Sequence, residues 1–269
     1  MPSFEARGFD LWYEEHGGGS GLPLLFFSGL GGSCQGWTVL QVPELGTARR
    51  CVLFDLRGAG RSKDPGGPFA TRDLAADARA LCDHLRLARV HVIGGFLGAL
   101  AAQEFALANP ERVRSLVLVG GYARLDAKRR MLLELWRELC DCDVPPLLRV
   151  RGRLLWSLHD DTLEQSDLID AMTRFFVRDA QPVTEELLAR QLDACLGHDA
   201  LDRLGALDVP TLVLAGEEDQ LTPPRMARQL ANAIPGARLV LMPGVGHLAP
   251  AEAAPRFNRI VGRFLAEHD

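Results

Sequence analysis

The chain alternates short, almost wholly apolar runs with longer segments in which apolar residues recur every three or four positions. Residues 23–27, 51–54, 90–93, 115–119, 211–215 and 238–242 form runs short enough for strands, and the apolar continuity of 23–27, 51–54 and 90–93 predicts strands buried on both faces. Between them, residues 73–85 place Leu74, Ala78, Leu81 and Leu85 on one helical face. Residues 97–108 continue as a helix that must stop at Asn109-Pro110, because the residue before a proline is disfavoured in helical geometry. Residues 223–233, and a last segment from near Ala251 to Leu265, read as further helices. Polar alternation in residues 4–7 and 10–14 predicts an edge hairpin turned near Gly8. Strand and helix in this rhythm predict a parallel sheet covered by helices.

From residue 122 to about residue 207 the strand runs vanish. Amphipathic helical segments replace them, carrying Leu132, Leu133, Leu135, Trp136, Leu154, Leu155, Trp156, Phe175 and Phe176, and split by Val144-Pro145-Pro146 and Gln181-Pro182. The pattern predicts a helical cap over residues 122–207, inserted into a core made of residues 1–121 and 208–269.

Composition narrows the partners more than the fold. Thirty Lys and Arg against 35 Asp and Glu give a net charge of −5 without a basic stripe, which predicts neither nucleic acid nor membrane as a partner. The first ten residues lack the apolar core of a signal peptide, and the near-apolar run 92–102 is broken by glycines and too short to span a bilayer. The expectation is a cytoplasmic protein, monomer or homodimer. Six cysteines spread over such a chain read as free thiols, and no ligand spacing for a metal and no dinucleotide fingerprint stands out, so no cofactor is expected.

Three strand ends carry the candidate chemistry, since open α/β sheets bind ligands at the carboxyl ends of their strands. Residues 90–100, VHVIGGFLGAL, run from a buried strand through a turn hemmed by Gly94 and Gly98 into a helix. That is the architecture of a nucleophile elbow. Residues 214–223, LAGEEDQLTP, put Asp219 just past a strand, with Glu217 and Glu218 expected to face solvent. Residues 242–250, MPGVGHLAP, put His247 in the loop after the last strand. The order is elbow, acid, histidine.

With DLRGAGRS at residues 55–62, LANPERV at 107–113, GEEDQLTPP and GVGHLAP, the chain resembles the α/β-hydrolase superfamily over essentially its whole length, most closely the capped esterase, enol-lactonase and C–C-bond hydrolase groups. The resemblance implies an α/β-hydrolase fold: a mostly parallel eight-stranded sheet flanked by helices, with an inserted cap. It also implies an Asp219–His247 dyad and an oxyanion hole formed by the backbone N–H groups of Leu30 and Leu97. Where the family elbow reads G-x-S-x-G, this chain reads Gly94-Gly95-Phe96-Leu97-Gly98, and a phenylalanine cannot attack a carbonyl. The oxyanion loop, which often starts His-Gly, starts Ser28-Gly29 here. Elbow backbones are strained by roughly 1–3 kcal/mol, which predicts a relaxed turn at Phe96.

A histidine base beside an oxyanion hole, without a nucleophile, points to lyase, cyclase or isomerase chemistry on a small carbonyl-bearing metabolite, of the kind met in polyketide-like specialised metabolism. Two other readings stand beside it: a catalytically silent binder or scaffold, and a hydrolase using activated water or a displaced nucleophile at Ser28, Ser33 or Cys34. Ser28, Gly29, Ser33, Cys34, Trp37, Gly95 and Leu248 are expected to line the pocket, while Trp136 and Trp156 read first as packing residues of the cap. His91 and His198 read as packing or surface residues.

Overall fold

The computed structural model describes residues 3–179 and 183–269, so the expected break at Gln181-Pro182 lies outside the described residues. Eight strands form one sheet in the order β1-β2-β4-β3-β5-β6-β7-β8. β1 (Ser3–Ala6) and β2 (Phe9–Gly17) make the expected hairpin, with Arg7 and Gly8 at positive φ in its turn. β2 pairs antiparallel with β4 (Arg49–Phe54), and the strands beyond, β3 (Gly21–Phe27), β5 (Val90–Gly95), β6 (Val113–Val119), β7 (Thr211–Gly216) and β8 (Arg238–Met242), run parallel.

The continuous apolar runs are explained by burial on both faces. Leu25, Phe27, Val52, Phe54 and Val92 point into one core, whereas Leu24, Phe26, Cys51, Leu53 and Ile93 point into the other. Alternate side chains of a strand must do this, so neither face can be polar.

Two short helices, α1 (Gln35–Thr38) and α2 (Val42–Leu45), follow β3. Helix α3 (Thr71–His84) opens two residues before the expected start, where the Ala70 N–H donates to the Asp73 carboxylate at 3.0 Å. Helix α4 (Leu97–Ala108) spans the expected residues, and its first ten are buried beneath the sheet.

Between β6 and β7 lie α5 (Ala127–Leu139), α6 (Pro146–Ser157), α7 (Asp160–Leu163), α8 (Ser166–Arg174), a wide turn at Phe175–Asp179, and α9 (Glu185–Leu196). Val150, Leu154 and Leu158 build a small core of their own there, packed against Ile169, Met172 and Phe176. After β7 comes α10 (Pro224–Ala233). The single last helix expected from the sequence is two, α11 (Ala249–Glu252) and α12 (Ala254–Ala266). Pro255 explains the break: it has no N–H to give the Ala251 carbonyl and its ring crowds that turn, so the chain leaves helical geometry at Ala253 (φ −138°) and restarts with the proline in the first turn of α12. No helix among the described residues is long and apolar enough to cross a membrane.

Candidate active site

The strand-to-helix corner between β5 and α4 is as tight as its glycines imply. A Cβ on Gly94 would stand 2.3 Å from the Gly98 carbonyl oxygen, and one on Gly98 would stand 2.3 Å from the Phe27 carbonyl oxygen. Phe96, at the apex, has φ 43° and ψ −109°. The relaxed turn expected for phenylalanine is therefore not found. Its N–H donates to Val119 O at 2.9 Å, and its carbonyl accepts from Ala99 and Leu100 at 2.9 and 3.1 Å, which pins the strained backbone from both sides. The ring is only 6 % exposed. Burying an aromatic ring recovers about 1.5–3 kcal/mol, enough to offset a strain of roughly 1–3 kcal/mol.

Asp219 follows β7, and its carboxylate is buried. The Thr222 N–H donates to Oδ1 at 2.7 Å, and Thr222 Oγ1 lies 2.8 Å from Oδ2. His247, in the loop after β8, places Nδ1 2.8 Å from Asp219 Oδ2 and 3.1 Å from Thr222 Oγ1. Thr222 Oγ1 also reaches Gly120 O at 3.0 Å. With a carboxylate at Nδ1 that nitrogen carries the proton, and Nε2 is left with its lone pair. The ring rests on Gly120 (φ 56°), where a Cβ would stand 2.8 Å from His247 Cε1. On its other side the Phe96 ring stands at 5.2 Å between centroids, edge to face. The helical segment between β6 and β7 holds this loop directly: Ser157 O, at the end of α6, accepts from the His247 and Leu248 N–H groups at 2.6 and 3.2 Å. Gly246 permits that approach, since a Cβ on it would stand 2.7 Å from Ser157 O.

His247 and Phe96 line a cavity of about 460 Å³ between sheet and cap. Gly29, Leu30, Ser33, Trp37, Gly95 and Leu248 line it. Ser28 and Cys34, also expected there, do not: both side chains are buried in the protein away from the lining. The Cys34 N–H donates to Asp55 Oδ1 at 2.7 Å, and burial, reinforced by the Asp55 charge, pushes its thiol far above the ordinary range. Leu97 is fully buried as the first residue of α4, where a helix N–H has no intrahelical acceptor. Glu217 and Glu218 are exposed, as expected. Trp136, read as packing, is buried and also lines the cavity, whereas Trp156 stacks under Lys128 away from it.

The sequence reading missed Thr222, which lay unremarked in GEEDQLTPP, and Arg153, Ser157 and Met172 on the cap wall. The three-residue step from Asp219 to Thr222 was a usable signal for a turn closed on the carboxylate. Periodicity in the cap could not show which helical face meets the cavity.

A sheet of this order, with acid and histidine at the ends of β7 and β8 and a strained corner after β5, defines an α/β-hydrolase fold. The chain belongs to that family, whose model, described as alpha/beta hydrolase fold, matches residues 23–254. Among curated proteins it is 33% identical over 260 residues to the Mycobacterium tuberculosis (strain ATCC 25618 / H37Rv) protein named "Putative non-heme bromoperoxidase BpoC", covering 96% of this chain and 98% of that one. It is 31% identical over 275 residues to "Putative carbamate hydrolase RutD" of Azorhizobium caulinodans, covering 100% of both. Among solved structures it is similar to the enol-lactonase from Burkholderia xenovorans LB400, with a TM-score of 0.89 at 26% identity, covering 98% of this chain and 100% of that one.

Proposed function

We propose that this chain is an enzyme that moves a proton on a small carbonyl compound held between core and cap, without forming an acyl-enzyme. Phe96 stands where the family resemblance puts the nucleophile, and its ring is one wall of the cavity rather than a reacting group. His247 is the base: Nε2 takes a proton from the carbon beside the carbonyl, and Asp219 stabilises the imidazolium through Nδ1. The enolate oxygen is held by the N–H groups of Leu30 and Leu97. The imidazolium then returns the proton at another carbon (isomerase), to a leaving group as its bond breaks (lyase), or to the alkoxide formed when the enolate carbon attacks a second carbonyl of the same molecule (cyclase). A helical cap over residues 122–207, set on a core of residues 1–121 and 208–269, closes the site, and the apolar lining suits a polyketide-like metabolite.

The observation that carries this reading is the intact Nδ1–carboxylate bond of 2.8 Å, set in a cavity whose opposite wall is an aromatic ring. It argues against a silent binder, which has no use for a buried, hydrogen-bonded dyad. Hydrolysis by water activated at His247 is the second reading, favoured by the carbamate hydrolase named among the relatives. A displaced nucleophile is disfavoured, because the Cys34 thiol is held neutral and outside the cavity lining, and neither Ser28 nor Ser33 Oγ finds a hydrogen-bond partner among the described residues.

Proton exchange tests the proposal directly. Butanone and 2-oxobutanoate are incubated with the protein in D2O and followed by proton NMR. Exchange faster than in buffer, abolished in His247→Ala, is the expected result. Absence of exchange, together with hydrolysis of a carbamate or enol-lactone, overturns it in favour of activated water.

A further inference from the structure

Among the side chains that line the cavity, one carries a permanent charge. It is Arg153, on α6, and among the described residues the lining contains no aspartate or glutamate. Arginine is the side chain least willing to lose its proton, and it is costly to leave unpaired near apolar walls. Yet no hydrogen bond or ion pair engages its guanidinium among the described residues, although most other arginines of the cap are paired: Arg137 with Asp141 and Asp193, Arg149 with Glu185, Arg190 with Asp64. Desolvation dominates its surroundings and disfavours its charged form, and among the described residues no carboxylate counters that.

Its position is as informative as its isolation. A Cβ on Gly31, which has φ 65°, would stand 3.3 Å from Arg153 Nη1. The guanidinium thus lies against the backbone of the loop after β3, one residue beyond Leu30. Met172, Phe175 and Leu154 of the cap make the rest of that wall apolar. One cation in an apolar cavity is matched by one negative charge on its ligand, and the planar fork of arginine matches a carboxylate in two-point geometry.

We infer that Arg153 is a specificity-determining residue that receives the carboxylate of an acidic substrate, a few bonds away from the carbonyl on which His247 acts. The inference deepens the proposed function and rests on the cavity's being the substrate site. A phosphate dianion is the poorer match, because among the described residues the lining offers no second cation to balance it.

Isothermal titration of the whole protein with benzoylformate and with benzoylformamide, its uncharged isostere, tests this through binding alone. The wild type is expected to bind the acid roughly ten- to a hundredfold more tightly than the amide, the range for a charge-assisted hydrogen bond. Arg153→Gln is expected to reduce that preference to within about threefold, and Arg153→Lys to retain part of it. Neither variant should melt below the wild type, because no protein partner is lost. His247→Ala should keep the full preference, so a failure of the proton-transfer chemistry is distinguishable from a failure of the acid site. Equal affinity for acid and amide, a preference that survives Arg153→Gln, binding of neither compound, or tighter binding of phenyl phosphate than of benzoylformate would each overturn the inference.

Discussion

Two buried histidines of this molecule sit beside carboxylates and meet different fates. His247 has one nitrogen committed, Nδ1 to Asp219 at 2.8 Å, and its ring lines the cavity. His198, at the end of the helical segment, has both nitrogens committed: Nδ1 to Thr71 Oγ1 at 3.0 Å and Nε2 to Gln103 Oε1 at 3.4 Å. Its nearest carboxylate, Glu104 at 3.7 Å, is already paired with Arg203. Burial therefore pushes His198 down to about 4, against the opposing pull of Glu104. A histidine and a carboxylate in contact do not by themselves make a base. What separates the two is a nitrogen left over and a space for that nitrogen to face.

The comparison can be broken at several points. The largest expected change is an all-or-none one, in Phe96→Ser. A hydroxyl at the strained corner would meet a base already in place, so intact-mass spectrometry with a fluorophosphonate should show one adduct on the variant and none on the wild type. An adduct on the wild type would mean that a nucleophile other than residue 96 is active. Next, His247→Ala should lower turnover by roughly 10²- to 10⁴-fold while the melting temperature stays close to wild type. His198→Gln should leave turnover within a few fold; if it is as damaging as His247→Ala, the two histidines do not divide as argued.

Stability against pH separates them again. The His198 value is about 4 when folded and 6.5 when unfolded, so between those values the unfolded chain binds more protons. Its neutral burial thus contributes stability that is full above pH ~6.5 and is lost as pH falls toward ~4. Wild type should lose up to about 3 kcal/mol more than His198→Gln over that window, read from urea midpoints at pH 4.5 and 7. The smallest effect is expected for Phe96→Gly. Relief of roughly 1–3 kcal/mol of strain is set against about 3–5 kcal/mol for emptying a ring's space, which leaves a net loss of about 2 kcal/mol at the middle of the two ranges. A variant more stable than the wild type would show that the strain, not the ring, dominates.

Much of this was legible in the chain. Runs apolar on both parities marked β3 to β5, and Gly94 and Gly98 marked a corner where only small residues fit, as the 2.3 Å approaches bear out. Asp219 and His247 stood at strand ends, and the structure brings them into contact. The loop after β3 was less legible, because a run such as Ser28-Gly29-Leu30-Gly31-Gly32-Ser33-Cys34 has no periodicity to say which side chains turn inward. Ser33 faces the cavity and Cys34 the interior, where its N–H is held by Asp55, just past the end of β4. Arg153 was invisible for a similar reason. Arginines are common on amphipathic helices, and only the absence of a partner sets this one apart.

The two hydrogen bonds from the His247 loop to Ser157 O carry a consequence for traffic through the molecule. A door cannot be hinged where it is bolted. Were α6 to swing away from the sheet, it would break both bonds or drag the histidine out of alignment with Asp219, so this corner is the fixed jamb. Val39, 70 % exposed, and Leu40, 40 % exposed, also line the cavity, which places its threshold beside α1. Molecules can then cross that sill while the base stays at its post.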